Sequence, residues 1–189
     1  ENNDKEIILW TSSGALKSQI LDNNLVETEI GVPKINWNEI PLNKNLDTKN
    51  LNIKIVNKNN IEHIGGTSVN VGNPHVVFFV DDIEDYDLKK IGPEIENHNY
   101  FPEKCNVTLA KVISKKLIKV KVWERGAGLT KACGTAACAT AVAANINGLT
   151  DKKTDIEFAL GKLSITIDAN NSIHMKGPVS DIRNIEINI

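Results

Sequence analysis

The apolar and polar positions of this chain fall mostly into short strand-like runs, and one segment departs from that pattern. Ile7 to Trp10 and Leu25 to Ile30 read as strands, and Leu51 to Val56 alternates as a half-buried strand does. Val76 to Val80 is a continuous apolar run, the pattern of a strand covered on both faces. Asn106 to Val112 and Leu117 to Trp123 are strands too. In the second, Ile118, Val120 and Val122 line one face, while Leu117, Lys119, Lys121 and Trp123 line the other. Asp155 to Ala159, Leu163 to Asp168, Ile173 to Met175 and Ile185 to Ile189 complete the set. Val32-Pro33 and Ile40-Pro41 mark a connection, and Leu88 to Glu96 reads as a short helix interrupted early by Gly92-Pro93.

Ala132 to Asn147 is the exception. It holds Ala136, Ala137, Ala139, Ala141, Ala143 and Ala144 with Val142 and Ile146, and it carries no charge between Lys131 and Asp151. Alanine is the best helix former, and Asn147-Gly148 is a good stop signal. A helix apolar nearly all round belongs inside a protein, and its small side chains let strands approach closely. The expected fold class is α+β, with a curved antiparallel sheet wrapped round a central apolar helix.

Composition narrows the function. The chain has 189 residues, 41% of them hydrophobic, which is enough for a real core. Its 22 basic and 24 acidic residues leave a net charge of -2, so the basic stripe of a nucleic-acid binder is missing. No apolar run reaches the roughly 18 residues of a membrane span, and the polar, acidic start is unlike a signal peptide. Three cysteines without framework spacing point to a reducing, cytoplasmic setting.

The chemistry concentrates in Glu124-Arg125-Gly126-Ala127-Gly128 and the following Ala132-Cys133-Gly134-Thr135. A strand end and a glycine-containing loop lead to a cysteine at the start of a buried helix. The free N–H groups of a helix N-terminus favour an anion, here the Cys133 thiolate or a substrate carboxylate. On that basis the Cys133 pKa is expected to fall, and Gly134 to let a carboxylate approach the backbone. Gly72-Asn73-Pro74-His75, before the strand at Val76, offers an amide and an imidazole that shuttles protons or orients a carboxylate.

These motifs, with Phe101-Pro102-Glu103 leading to Asn106 and with Gly177-Pro178 near the end, resemble the diaminopimelate epimerase family in order and spacing. The resemblance runs from about Ile7 to the C-terminus. Proline racemases and phenazine-biosynthesis isomerases share related folds, but the cysteine loop with its Glu-Arg-Gly-Ala-Gly lead is not expected in them. The resemblance implies an isomerase that inverts an amino-acid α-carbon without pyridoxal phosphate or any other cofactor, and without a metal. Two cysteines would face each other across that carbon, converting LL-2,6-diaminopimelate to the meso isomer for lysine and peptidoglycan synthesis. Cys133 matches the second of these cysteines. Gly134 and Thr135 would hold the reacting α-carboxylate, Glu124 and His75 would contact the α-amino end, and Asn73, Asn106 and Arg125 would grip the distal end.

One departure matters. The family's other cysteine motif, Cys-Gly-Asn at a helix start, does not occur in this sequence. The expected organisation is therefore a remnant of an N-terminal domain at 1–33, a complete C-terminal domain at 34–178, and a returning strand of the first domain at 179–189. Such a chain would be inactive alone, and would form a homodimer or pair with the missing N-terminal segment. Cys105, next to Asn106 on a strand, should point away from the site. Cys138, about 140° round the helix from Cys133, should point into the core. Two rival readings are another racemase of the same fold and an inactive ligand-binding fragment.

Overall fold

The computed structural model describes residues 5–11, 14–21 and 24–180. Its strands are β1 (Glu6–Thr11), β2 (Gly14–Leu21), β3 (Leu25–Gly31), β4 (Ile53–Val56), β5 (Glu62–Gly65), β6 (Thr67–Asn70), β7 (Pro74–Phe79), β8 (Asn106–Ser114), β9 (Leu117–Glu124), β10 (Gly128–Thr130), β11 (Lys153–Phe158), β12 (Gly161–Ile167) and β13 (Ile173–Pro178). Two α-helices accompany them, α1 (Leu88–Glu96) and α2 (Gly134–Ile146). The strand expected at Ile185 to Ile189 lies outside the described residues.

Among the described residues, eleven strands form one sheet in the order β1-β2-β3-β13-β12-β11-β9-β8-β7-β6, with β10 added to β9. The α+β expectation holds, but the sheet is mixed rather than wholly antiparallel. β7 pairs with β8 in parallel, and β9 with β11. In both cases a helix lies between the paired strands in the chain, as parallel pairing requires. Helix α2 touches β6, β7 and β8 on one side and β11, β12 and β13 on the other. Laid flat, seven neighbouring strands span about 29 Å at roughly 4.8 Å spacing, against about 10–12 Å for a helix. The sheet therefore curls round α2.

Strand alternation sorts two cores. Val77, Ala110, Ile118, Val120 and Val122 face inward to Ala136, Ala137, Ala139 and Ala143 of α2. Val76, Phe78, Val107 and Leu109 face outward, where Ile40, Leu51, Ile55 and the apolar side of α1 cover them. β7 and β8 are thus buried on both faces, which accounts for the continuous apolar run at Val76.

Helix α1 is not interrupted at Gly92-Pro93. It continues through Pro93 to Glu96, because Leu88, Ile91 and Ile95 are buried against the outer core and packing outweighs the hydrogen bond that proline removes. Gly92 serves close approach, since a Cβ there would lie 2.6 Å from the Trp123 ring. At the far edge, β1 is exposed along its whole length, with Ile8, Leu9 and Trp10 facing solvent. No helix among the described residues is long and apolar enough to cross a membrane.

Gly92→Ala should therefore force α1 off Trp123 and cost about 1–3 kcal/mol, the range for overpacking. Thermal unfolding followed by circular dichroism should show a lower Tm. An unchanged Tm would mean that the close contact does not exist.

Candidate active site

β7 and β8 run parallel and place His75 beside Asn106, while β9 runs antiparallel to β8 with Trp123 opposite Val107. The two-residue period puts His75, Asn106 and Glu124 on the same inward face as Val77, Ala110 and Val122, with Asn106 and Glu124 at strand ends and His75 one position in. Helix α2 begins at this rim. Cys133 is its N-cap residue, with extended backbone at φ -152° and ψ 117°, and its side chain makes no capping bond. The first intrahelical bond runs from the Ala137 N–H to the Cys133 carbonyl at 3.1 Å, so the N–H groups of Gly134 and Thr135 have no helical partner.

The side chains form one continuous line. Cys133 Sγ lies 3.4 Å from Thr135 Oγ1, and the Asn73 amide donates to that hydroxyl at 3.4 Å. Asn73 Oδ1 and Asn106 Nδ2 lie 3.0 and 3.5 Å from His75 Nε2; the first contact calls on the ring to donate there, the second to accept. Asn106 Nδ2 donates to the Pro74 carbonyl at 3.0 Å, and its Oδ1 accepts the Arg125 N–H at 3.0 Å. Arg125 Nη1 donates to the Glu103 carbonyl at 2.7 Å. Beyond the sulfur, a pocket of about 260 Å³ opens between Cys133, Phe158, Leu160 and Pro178. A larger cavity, about 610 Å³, lies between β4 and α1 and is lined by none of these residues.

One expectation is corrected here, and two others gain detail. The Cys133 thiol pKa is raised, not lowered. Burial is the main cause and the Glu124 carboxylate adds to it; the Thr135 hydroxyl and the Ala136 N–H pull the other way but do not prevail. The Ala136 N–H acts as a nearby dipole without closing a cap bond on sulfur. Second, burial and then the Arg125 charge push His75 down to about 3, so its ring is neutral throughout the physiological range. A proton relay works best near neutral pKa, so the ring is suited to fixing Asn73 rather than carrying charge. Third, a Cβ on Gly134 would meet Met175 Sδ at 3.1 Å, so the missing side chain admits Met175 on that side, while Gly134 also lines the pocket beside Cys133.

The other two thiols are in the cores. Cys105 faces the outer core and bonds the Ile95 carbonyl at 3.6 Å, with its pKa raised by burial. Cys138 is enclosed in the inner core, and burial pushes its pKa up to about 12. Sequence reasoning missed Glu96, a buried carboxylate behind the loop. It accepts from Trp123 Nε1 at 2.7 Å and from the Gly126 N–H at 3.0 Å. Its place in an amphipathic helix carried no signal, because a glutamate there reads as a solvated charge.

The architecture, a curved sheet round one helix, is shared with solved structures of epimerases, racemases and phenazine-biosynthesis proteins. A PhzF-family phenazine biosynthesis protein of Bacillus anthracis superposes with a TM-score of 0.63 at 12% identity, over 100% of this chain and 70% of that one. A hydroxyproline epimerase of Agrobacterium vitis gives 0.59 at 14% identity, over 94% of this chain and 58% of that one. Within that fold the chain belongs to the diaminopimelate epimerase family, whose sequence profile matches residues 67–182. The diaminopimelate epimerase of Pelagibacter ubique is 73% identical over 100% of this chain and 69% of its own length. That of Acidiphilium cryptum is 37% identical over 95% of this chain and 63% of its own length. The chain thus spans roughly two thirds of such relatives.

Cys133 should be the first thiol alkylated by limiting iodoacetamide, because it borders a pocket and the other two are enclosed. Its rate should keep rising with pH beyond the ordinary thiol range, since its pKa is raised. Peptide mapping that finds Cys105 or Cys138 labelled first would contradict the assignment.

Proposed function

We propose that this chain carries one of the two acid/base thiols of a diaminopimelate epimerase. The observation that carries the reading is the line of contacts that starts beside the free N–H groups of α2 and runs from Cys133 through Thr135, Asn73 and His75 to Asn106, which holds the Arg125 main-chain N–H. In this reading the Gly134 and Thr135 N–H groups bind the reacting α-carboxylate, and Glu124 receives the α-ammonium. Asn73, Asn106 and Arg125 bind the distal end, where a guanidinium pairs with a carboxylate through two parallel bonds.

An amino-acid α-proton is a very weak acid. A thiol whose pKa is raised by burial is a stronger base once deprotonated, and the line of fixed dipoles costs no reorganisation as charge develops. Cys133 serves one face of the α-carbon. Cys105 and Cys138 point into the two cores, so the thiol for the opposite face would come from outside this chain. The exposed apolar β1 supports the same division: the first 33 residues would belong to an N-terminal domain whose remainder covers that edge, and 34–178 would form the C-terminal domain, while the segment expected to return to the first domain lies almost wholly outside the described residues. The three unpaired cysteines fit a reducing, cytoplasmic setting.

The test is isotopic. Incubated alone with LL-diaminopimelate in deuterium oxide, the chain should yield neither the meso isomer nor α-deuterium. Supplied with the segment that the Pelagibacter ubique enzyme carries and this chain lacks, it should yield both, and Cys133→Ala should abolish both. Robust turnover by the chain alone would overturn the two-thiol account.

In the complemented enzyme, Arg125→Lys should lower kcat/KM for diaminopimelate more than tenfold, about 1.4 kcal/mol or more of transition-state stabilisation. Unchanged efficiency would remove Arg125 from the distal site.

A further inference from the structure

We propose that Glu96 is a positioning residue for the site: its buried carboxylate grips the chain on both sides of Glu124 and Arg125, with one oxygen on the Trp123 indole N–H and the other on the Gly126 main-chain N–H. The proposal rests on reading Glu124 and Arg125 as the ligand-facing pair of this loop.

Glu96 ends α1 and is only 6% exposed. Its Oε2 accepts from Trp123 Nε1 at 2.7 Å and its Oε1 from the Gly126 N–H at 3.0 Å. The dipeptide between these anchors has a third fixed point, because Asn106 Oδ1 accepts the Arg125 N–H at 3.0 Å. Gly126 turns through the left-handed region at φ +75°, the Ala127 N–H closes the turn on the Glu124 carbonyl at 3.1 Å, and Glu96 takes the Gly126 N–H that the turn itself leaves over. Trp123 in turn is seated on Gly92 of the same helix, so α1 and the loop are joined by packing and by two hydrogen bonds.

A buried carboxylate is a costly way to attach a helix to a strand. An apolar side chain of similar size would hold α1 on Trp123 as well or better. What the carboxylate adds is two acceptors aimed at two donors, and one of those donors is the loop's own backbone. Glutamine could not replace it, because its NH2 would face one of the two N–H groups. The groups carried between the anchors are the ones whose place matters: Glu124 lies close enough to Cys133 to act on its thiol, and Arg125 closes the line through Asn106.

The test needs no substrate, so it can fail independently of the diaminopimelate reading. In Glu96→Gln, the amides of Arg125 and Gly126 should exchange with deuterium at least tenfold faster, while the Tm confirms a folded chain. Alkylation of Cys133 should report the same loosening. Its charged surroundings are Glu124 from the loop, Lys162 on the pocket wall and the neighbouring Lys131. With Glu124 displaced, the alkylation midpoint should fall by about half a pH unit, equivalent to about threefold faster reaction below it. Glu124→Gln should shift it the same way, and the double variant no further. Trp123→Phe removes one donor and should give a smaller change of the same sign; it carries the test if Glu96→Gln does not fold. Unchanged amide exchange in the folded variants overturns the proposal, as does a fully additive double variant.

Discussion

The structure depends on burying a helix made of small side chains. Ala136, Ala137, Cys138, Ala139, Ala143 and Ala144 of α2 have no exposed surface. They have little width, so strands from β6 to β13 close round them. A leucine-rich helix would hold the sheet several ångströms farther out and flatten it. Enclosure on all sides leaves α2 no room to slide or tilt, and its N-terminus comes out at a fixed point on the rim. There the ends of β7, β8 and β9 present His75, Asn106 and Glu124 on the same inward face. The site is where the axis of the helix meets the rim of the sheet.

The electrostatics of that site follow from burial more than from the helix dipole. Desolvation raises the Cys133 thiol, and the Glu124 carboxylate works in the same direction. The resting sulfur is therefore protonated at neutral pH. In the proposed chemistry such a thiol is ready to deliver a proton; to remove one it must first lose its own, and the thiolate so formed is then the stronger base. His75, held neutral by its burial and by Arg125, adds a dipole and no charge to the same line. The result is a row of neutral donors and acceptors with the Glu124 carboxylate beside the thiol and the Arg125 guanidinium at the far end.

Much of this was legible in the residues. The alanine run announced a buried helix, and Cys133 fell at its start. Alternation in β9 told which face Val120 and Val122 would take, and the one-residue offset of Cys105 from Asn106 told which would point away. What the residues did not announce has physical reasons. β2 mixes Lys17 and Gln19 with scattered apolar positions, and β6 is a short Thr-Ser-Val-Asn run, so neither shows a strand period. Parallel pairing is set by long-range connections, not local pattern. The Cys133 and His75 shifts depend on how deeply each is buried, which no local motif encodes. That Gly134 also admits Met175 was not legible, because Met175 is forty-one positions away in the chain.

The central claim is that the helix start at Cys133 and the line to Arg125 are one amino-acid-binding surface. The most direct measurement is a titration of the isotopically labelled chain with diaminopimelate, followed through backbone amide resonances. The account predicts saturable shifts centred on Gly134, Thr135 and Arg125, with the cavity between β4 and α1 unaffected. Shifts confined to that cavity, or none at Gly134 and Thr135 at saturating ligand, would contradict it.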